Sequence, residues 1–290
     1  MVVITGASSG IGRATAHAFA RGGAQLVLAA RSESSLAEVV VECAELGATA
    51  IAVPTDVSVE ADLERLVAAA MEQFGRIDVW LGAASVYAYG SVEQTPPGAF
   101  ARIFEVNLLA QINGVKAVLP HLEKGAVIIL MGSVYSLIAT PYVSAYIASK
   151  HGLLGFAKAL RQELRPRGIR VSVIMPTTID TPIYQHAANY TGHEMRPLPP
   201  YVDVRRVAKA ITRVARWPRR TKIVGVIQRF SILASRLLGP INDRLVLSTM
   251  NRVAVLSRPN PVEDGTLFAP KPSSNAVDGG WRTRDPGSGT

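Results

Sequence analysis

The chain has a single cysteine, Cys43, and this scarcity excludes an intramolecular disulfide framework. Because stable disulfides belong to oxidising compartments, we expect a cytoplasmic protein. Charged residues are also few. They make up 18% of the chain against 48% hydrophobic residues, a globular balance that excludes the composition of a disordered protein. A length of 290 residues is sufficient for one large folded core.

Acidic residues are in deficit, with 22 Asp and Glu against 31 Lys and Arg, and the net charge is +9. Many of the cations lie in residues 205–222, where Trp217 is the only aromatic residue and no nucleic-acid-binding motif occurs. We therefore interpret them as a solvated helix face and expect no nucleic-acid partner. Weak peripheral membrane contact stays open as an alternative, because apolar residues follow the cations: Phe230, Ile232, Leu233, Leu237 and Leu238.

The chain also lacks an uninterrupted apolar run of membrane-spanning length. No charged residue occurs between Lys124 and Lys150, a gap that exceeds the ~20 residues of a membrane span. Several small or polar residues interrupt it, so we expect no transmembrane helix there: Gly132, Ser133, Ser136, Thr140, Pro141 and Ser144. The first strand-like segment begins almost at Met1. We therefore expect no signal peptide, and the abrupt start leaves open a native start further upstream.

What the chain does have is a regular alternation of strand-like and helix-like segments. Between the strands, helical patterns repeat; in the third, apolar residues from Leu63 to Phe74 fall on one face. Such alternation predicts an α/β fold with a doubly wound parallel sheet, whose ligands bind beyond the carboxyl ends of the strands. The predicted strands are Val2–Ile4, Gln25–Ala30, Ala48–Pro54, Ile77–Ala83, Val127–Met131, Ile169–Met175 and Thr221–Gln228.

A glycine-rich sequence, T-G-A-S-S-G-I-G, runs from Thr5 to Gly12 between the first strand and the first helix. Glycine permits positive φ angles and a close backbone approach, which a pyrophosphate at a helix N-terminus requires. A glycine-rich turn alone is a weak signal, but its position after the first strand and before the first helix predicts a dinucleotide site. We assign no metal ligands.

Tyr146 and Lys150 are four residues apart in Y-I-A-S-K, and Ser133 lies upstream of them. On a helix the tyrosine and lysine are neighbours. The ammonium is then expected to lower the pKa of the phenol from its ordinary value near ~10. Such a tyrosine exchanges protons with a substrate oxygen that the Ser133 hydroxyl holds. The Y-x-x-x-K spacing alone is common by chance, whereas its combination with the serine and the glycine loop indicates catalysis.

With these motifs, roughly residues 1 to 230 resemble the short-chain dehydrogenase/reductase family. The resemblance implies a Rossmann fold, an NAD(P)-dependent oxidoreductase and a catalytic tetrad of Asn107, Ser133, Tyr146 and Lys150, with Asn107 positioning a water molecule. By itself Asn107 is simply a polar residue in a helix, and Asp56 is equally a candidate helix cap. The resemblance further implies these cofactor contacts: Gly6, Ser8, Ser9, Gly10, Ile11, Gly12, Asp56, Val57, Lys150, Pro176 and Thr181.

Two departures from the family pattern are visible. Where the family usually has N-N-A-G, the chain has G-A-A-S at residues 82–85, so the missing asparagine amide puts local stability in doubt. Where the family has P-G after the sixth strand, the chain has Pro176 and Thr177. Thr181 still falls where the family's threonine meets the nicotinamide carboxamide.

The end of the second strand predicts the cofactor preference. An acidic residue there would bind the ribose of NAD, but the chain has Ala30 followed by Arg31. Because guanidinium matches phosphate in charge and geometry, we expect NADP(H) to be preferred over NAD(H). In the alternative interpretation, Arg31 only caps the turn on the surface; Arg13 is a second cation within possible reach.

All eight tyrosines lie between Tyr87 and Tyr201. Individually, each is typical of half-buried packing. Collectively, they predict a cleft lined by amphipathic rings and suited to a bulky, largely apolar ketone or alcohol. The candidates for substrate contact are Tyr87, Tyr135, Tyr142 and Tyr184.

We expect a catalytic domain at residues 1–230, in which residues 179–200 form a substrate loop. An amphipathic helical extension at 231–258 and a poorly ordered tail at 259–290 are expected to follow. In the resembling family the catalytic helix commonly packs against a partner subunit, which implies a homodimer or homotetramer through Gly152, Leu153, Gly155, Phe156, Ala157 and Leu160. An alternative to catalysis is a redox-sensing or scaffolding protein that binds the cofactor without turnover.

Overall fold

A parallel sheet of seven strands forms the centre of the molecule. The structure is a computed structural model that describes residues 1–225, 232, 235, 237–271 and 275–283. All neighbouring strands of the sheet run parallel, in the order β7-β6-β5-β4-β1-β2-β3. The strands are β1 (Val2–Thr5), β2 (Leu26–Ala30), β3 (Ala50–Pro54), β4 (Val79–Gly82), β5 (Val127–Met131), β6 (Arg170–Pro176) and β7 (Thr221–Val224).

Helices cover both faces of this sheet, so the predicted doubly wound α/β fold is confirmed. Val3 of β1 packs into the core on one face, whereas Val2 and Ile4 pack into the core on the other. Burial on both faces is why the strands are runs of Val, Ile and Leu rather than alternating sequences. The helices are α1 (Gly10–Ala20), α2 (Glu33–Glu45), α3 (Glu60–Phe74), α4 (Pro97–Phe104), α5 (Ala110–Val118), α6 (Ser144–Glu163), α7 (Val204–Arg216) and α8 (Gly239–Thr249).

After β3 the chain crosses to the other side of β1 and forms β4 there. The order in which strands are added to the sheet therefore reverses between β1 and β4. At such a switch point the loops after the two strands diverge and leave a crevice beyond their carboxyl ends. The loop after β1 is the glycine-rich sequence, and the loop after β4 is the departing G-A-A-S segment. Thr5 ties the two together, since its Oγ1 accepts hydrogen bonds from the backbone N–H groups of Ala83 and Ala84 at 3.1 and 3.3 Å.

The substrate loop predicted at residues 179–200 contains short pieces of regular structure. Ile179–Asp180 pairs with Val202–Asp203, and Ala188–Asn189 pairs with Ala88–Tyr89. A 3₁₀ turn at Pro182–Tyr184 lies between them. The pairing of Ala188–Asn189 holds the loop beside the chain that follows β4.

The chain after residue 237 differs from the sequence-based expectation. Residues 231–258 were expected to be helical; the described residues up to Ala254 are largely so, in α8 and a π-helical turn at Met250–Ala254, but the last residues are not. Val255–Pro259 is a strand that pairs antiparallel with His193–Met195. A β-branched and a large apolar residue, Val255 and Leu256, suit that half-buried edge.

The tail expected to be poorly ordered is also placed differently. Residues 259–271 and 275–283 lie against the catalytic domain, and the Leu267 side chain is fully buried in its core. The predicted strand end Gln228 and two of the candidate membrane-contact residues, Phe230 and Leu233, lie outside the described residues. Leu237 and Leu238 are exposed, and membrane contact stays a prediction. None of the helices in the described ranges has both the length and the apolar character needed to cross a bilayer.

Candidate active site

The glycine-rich loop forms a tight cradle between β1 and α1. Gly6 and Gly10 have φ angles of 69° and 51°, in the left-handed region that favours glycine. A Cβ atom on Gly12 would overlap the carbonyl oxygen of Gly6. Glycine is therefore required at these positions for steric reasons, and the backbone can approach a ligand closely.

One cavity of about 730 Å³ extends from this cradle to Tyr146. Its volume lies in the usual range of small-molecule and cofactor sites. The structure brings together at this cavity every residue that was predicted to contact the cofactor: Gly6, Ser8, Ser9, Gly10, Ile11, Gly12, Arg31, Asp56, Val57, Lys150, Pro176 and Thr181. Arg13 does not line it, because its guanidinium is held by Glu38 and Glu42.

Ser133, Tyr146 and Lys150 meet at the other end of this cavity. Ser133 follows β5 and caps a 3₁₀ turn, since its Oγ accepts from the Tyr135 N–H at 3.2 Å. Tyr146 and Lys150 lie on α6, and the Lys150 Nζ is 5.3 Å from the centre of the tyrosine ring. Lys150 is almost fully buried, and its Nζ donates to the Met131 carbonyl at 2.9 Å. The three predicted side chains therefore form one buried cluster.

Burial controls the protonation of this cluster. It raises the pKa of Tyr146, while hydrogen bonds with Ser133 and Ser85 act in the opposite direction. Burial also lowers the pKa of Lys150 to about 7. The expected net lowering of the tyrosine pKa by the ammonium is thus wrong for the site as the structure describes it, because desolvation of the phenol is the larger effect. A phenol that stays protonated near neutral pH is suited to donate a proton.

Asn107 lies beneath the cavity rather than on its wall. It sits in a π-helical segment, Glu105–Leu109, that joins α4 to α5, and its side chain is fully buried. Its Oδ1 accepts from the Ser85 hydroxyl at 2.9 Å and from the Val86 N–H at 2.8 Å. Its Nδ2 donates to the Val86 carbonyl at 2.9 Å and to the Ser149 Oγ at 3.4 Å. Protein groups thus occupy the amide, and its action on a water molecule stays a prediction.

The departing segment after β4 introduces a hydroxyl that the sequence reasoning missed. Ser85 lines the cavity, donates a hydrogen bond to the Asn107 Oδ1 and acts to lower the pKa of Tyr146. The departure from N-N-A-G was its only sequence signal, and that departure suggested a loss of stability instead. The Gln111 amide lies where it compensates for the missing asparagine. Its Nε2 donates to the Ala84 carbonyl at 3.0 Å, and its Oε1 fills the space above Gly82.

Arg31 and Asp56 lie at the end of the cavity remote from Tyr146. The Arg31 Nη2 donates to the Thr266 carbonyl at 2.8 Å, while its buried Nη1 has no hydrogen-bond partner among the described residues. Asp56 pairs with Arg102 at 3.0 Å and accepts from the Ser58 N–H and hydroxyl at 3.0 and 2.6 Å. The alternative of a helix cap is wrong, because Val59 is the N-cap residue of α3 and the Asp56 carboxylate closes the turn at Ser58 before that helix. Arg102 was missed because nothing in the pattern of α4 marks it.

Three of the four tyrosines predicted to contact substrate lie at the cavity. The Tyr87 ring is 4.5 Å from the Tyr146 ring and 5.8 Å from the Tyr184 ring, and Tyr135 is 6.3 Å from Tyr146. Tyr89 lines the cavity as well. Tyr142 is the exception and needs correction.

Tyr142 lies in a separate, smaller pocket beside His193 and Val255. Its backbone has a φ of 68°, and its hydroxyl donates to the Asn251 Oδ1 at 2.8 Å. This bond to the turn after α8 holds the tyrosine away from the catalytic cavity. The sequence placed it correctly after the fifth strand but contained no signal for its partner.

Comparison with known proteins supports the resemblance to the short-chain dehydrogenase/reductase family. A family described as short chain dehydrogenase matches residues 1–190. An oxidoreductase of Bacillus subtilis, YxnA, is 34% identical over 279 residues, which cover 92% of this chain and 77% of that protein.

Two solved structures resemble the fold at 27% sequence identity. One is a short chain dehydrogenase/reductase from Burkholderia phymatum in complex with NAD, with a TM-score of 0.74 over 81% of this chain and 92% of that chain. The other is an alcohol dehydrogenase from the archaeon Thermococcus sibiricus with 5-hydroxy-NADP, with a TM-score of 0.69 over 78% and 94% of the two chains. Because the similar structures hold NAD in one case and an NADP derivative in the other, the cofactor preference of this chain must be argued from its own residues.

Proposed function

The chain belongs to the short-chain dehydrogenase/reductase family, and from that premise we propose that it is an NADP(H)-dependent oxidoreductase. It interconverts a carbonyl and an alcohol on a bulky, largely apolar substrate. The observation that carries this proposal is the buried cluster of Ser133, Tyr146 and Lys150 at one end of a cavity whose other end is the glycine cradle. Reduction of a carbonyl by hydride transfer needs a proton donor and a dinucleotide site close together, and this cavity contains a candidate for each.

The residues of the cavity fit a dinucleotide. We assign the pyrophosphate to the cradle from Gly6 to Gly12, because this loop leads into the N-terminus of α1, where backbone N–H groups and the helix dipole favour an anion. The buried and unpartnered Nη1 of Arg31 is the group assigned to the 2′-phosphate. Lys150 holds the nicotinamide ribose and Thr181 the carboxamide. NADP(H), when bound, supplies or accepts the hydride.

The protein's own contribution is to orient the substrate oxygen and to move a proton. In the reducing direction, the hydroxyls of Ser133 and Tyr146 donate hydrogen bonds to the substrate carbonyl oxygen. Tyr146 then gives its proton to the oxygen as negative charge develops there. Asn107 acts as a positioning residue, because it holds Ser149, whose hydroxyl bonds the Tyr146 carbonyl at 2.7 Å.

The substrate end of the cavity favours a bulky apolar molecule. Its walls contain the rings of Tyr87, Tyr135 and Tyr184 around the Tyr146 phenol. Aromatic rings supply large apolar area with few polar groups, so extended hydrocarbon frameworks gain more from this site than small polyols do.

Replacing Tyr146 by Phe tests the proposed acid. The variant removes the proton donor and leaves the cradle intact, so we expect kcat to fall by roughly 10²- to 10⁴-fold while NADPH affinity is retained. Steady-state assays on a panel of bulky ketones and alcohols, with fluorescence titration of NADPH, measure both quantities. Tyr142→Phe is the matched control, because Tyr142 lies outside the cavity.

Two outcomes would contradict this assignment. A Tyr146→Phe variant that retains most of its kcat would show that another group is the acid. An unmodified protein that binds NADPH tightly but turns over no member of the panel would favour the cofactor-binding sensor or scaffold instead.

Replacing Arg31 by Ala tests the cofactor preference. We expect binding of NADP(H) to weaken by about 1.5–3 kcal/mol, the range for a hydrogen bond to a charged group. NADH serves as the internal control, since Arg31 also contacts the Thr266 carbonyl, and disruption of that contact would weaken both cofactors alike. KM values for the two cofactors decide the question. Equal KM values in the unmodified protein would contradict the preference for NADP(H) and leave the catalytic assignment standing.

A further inference from the structure

The chain that follows the strand Val255–Pro259 runs back along the cofactor cavity. We call residues 261–271 and 275–283 the C-terminal strap. The strap is anchored at its beginning, because Leu267 is fully buried in the core and the Tyr190 hydroxyl donates to the Asp264 Oδ1 at 2.6 Å. It therefore starts from a fixed point beside the substrate loop.

Backbone carbonyls of the strap then contact the two arginines at the Arg31 end of the cavity. The Thr266 carbonyl accepts from the Arg31 Nη2 at 2.8 Å, and the Leu267 carbonyl accepts from the Arg102 Nε at 3.0 Å. These bonds orient the Arg31 guanidinium but leave its Nη1 without a partner among the residues that the structure describes. The strap thus prepares this arginine for a ligand without satisfying it.

The second part of the strap contacts the glycine-rich loop. The Gly10 N–H donates to the Ala276 carbonyl at 2.9 Å. The Arg13 Nη1 donates to the Asn275 carbonyl at 2.7 Å, and the Asn275 side chain donates to the Ser35 hydroxyl at 2.7 Å. Carbonyls of one segment therefore face the loop assigned to the pyrophosphate.

The last residues of the strap reach Asp180 and Thr181, and Thr181 lies beside Gly10 at the cavity. The buried Asp180 carboxylate accepts from the backbone N–H groups of Gly279, Trp281 and Arg282 at 3.0, 2.9 and 3.2 Å. Because a buried carboxylate is costly without partners, these bonds make a strong attachment. The Trp281 ring also packs edge-on against the Tyr184 ring.

The sequence of the strap suits this close docking. Gly265 has a φ of 53°, and a Cβ atom there would overlap the His186 carbonyl. A Cβ atom on Gly279 would lie 2.5 Å from the Thr181 carbonyl oxygen. Two glycines thus occur where any side chain would push the strap away from the catalytic domain.

The docked strap leaves the cavity open inside. The volume of about 730 Å³ is present with the strap in place, and Thr266, Pro270, Lys271 and Asn275 form part of its wall. A segment that blocked the site would fill this space, whereas a segment that encloses it would line the space as this one does. The lining residues therefore favour enclosure over competition, although the Ala276 carbonyl occupies the Gly10 N–H and leaves the pyrophosphate to the other N–H groups at the start of α1.

We propose that the C-terminal strap is the outer wall of the dinucleotide site and that a bound dinucleotide leaves only after residues 275–283 detach. This inference rests on the proposed function, because it takes the cavity to be the site of a nicotinamide dinucleotide. The strap orients Arg31 at one end and closes the glycine cradle at the other. Its attachment consequently controls the rate of cofactor release.

A chain ending at residue 274 tests this proposal, because it removes the detachable part and keeps Leu267 in the core. We expect NADPH to dissociate roughly tenfold or more faster and to bind correspondingly more weakly, since several hydrogen bonds are lost together. Stopped-flow displacement gives the dissociation rate, and fluorescence titration gives Kd. The full-length double variant Asn275→Ala, Trp281→Ala covers the case in which the shortened chain fails to fold, and we expect a smaller increase of the same sign.

Phe268→Ala is the matched control, because the Phe268 side chain is half-exposed and takes part in none of the attachments described for the strap. It should leave both quantities unchanged. If NADPH dissociates from the shortened chain and from the double variant as slowly as from the unmodified protein, the strap's role is overturned while the proposed function stands. Tighter binding after shortening would also overturn it, because that result shows a competitor. An intact chain that binds neither NADPH nor NADH would overturn the proposed function and the strap's role together.

Discussion

A single hydroxyl distinguishes this active site from the pattern that the family resemblance implied. The Ser85 hydroxyl has one proton to donate and two candidate acceptors, the Asn107 Oδ1 and the Tyr146 phenol oxygen. A hydroxyl donates to only one acceptor at a time. When the phenol ionises, donation to the phenolate stabilises the charged form, which is why this serine lowers the pKa of Tyr146 against the effect of burial.

Replacing Ser85 by Ala or by Gly should therefore raise the pKa of Tyr146 further. In alcohol oxidation the reaction needs the ionised phenol, so the rise of kcat/KM with pH should move to higher pH. The expected displacement is about one pH unit or more, since a hydrogen bond to a charged group is worth roughly 1.5–3 kcal/mol. A pH profile of kcat/KM measures it. If the pH profile of kcat/KM moves equally in both variants, the loss of the hydroxyl is the cause. A profile that does not move would show that Ser85 has only a packing role.

Lys150 makes the stability of the folded protein depend on pH. Burial lowers its pKa to about 7, whereas in the unfolded chain a lysine titrates near ~10.4. Between these values the unfolded state binds more protons than the folded state. The free energy of unfolding therefore rises with pH across this window, and the penalty for burying the ammonium is largest below it.

Lys150→Met should abolish this dependence, because the buried side chain then carries no titrating group. We expect the difference in unfolding free energy between the unmodified protein and the variant to increase from pH 7 to pH 9. One proton limits the slope to about 1.4 kcal/mol per pH unit. Urea unfolding without dinucleotide measures it, and Lys158→Met, on the exposed face of the same helix, is the control. Parallel stability curves for Lys150→Met and the unmodified protein would show that Lys150 is not the titrating group.

At the scale of secondary structure, the sequence predicted the central sheet well and the end of the chain poorly. The fifth strand was predicted with the bounds that the structure has, Val127–Met131, because a fully buried strand is a continuous apolar run. The strap has the opposite character. It contains two prolines and three glycines, and one apolar residue, Leu267, is fully buried. Most of its other attachments are made by backbone N–H and carbonyl groups, which no residue type reveals.

The same distinction applies to the elements around the site. Ser133, Tyr146 and Lys150 could be found because their chemistry depends on side-chain type and spacing. Gln111 could not, since its role is to fill the space above Gly82 and depends on how α5 packs against β4. Likewise, Asn107 sits in a π-helical segment, and a helical period of 3.6 residues cannot indicate that local change.

At the scale of the whole molecule, α6 determines both the catalytic cluster and the surface expected to meet a partner subunit. Of the six residues expected at that interface, Leu153, Ala157 and Leu160 are buried inside the chain. That part of the expectation is corrected, because the apolar side of the helix packs on its own sheet. Gly155 is exposed, and a Cβ atom there would meet nothing within 4 Å. Leu109, on the π-helical segment that packs against α6, is also exposed.

A homodimer or homotetramer formed through this surface should therefore depend on Gly155. We expect Gly155→Arg to dissociate it, because a long charged side chain prevents close approach of two helices and is costly to bury without a partner. Multi-angle light scattering at micromolar concentrations measures the mass. Gly98→Arg is the matched control, since Gly98 is another exposed helical glycine whose Cβ would meet nothing within 4 Å. A monomeric unmodified protein, or an assembly that survives Gly155→Arg, would rule out this interface.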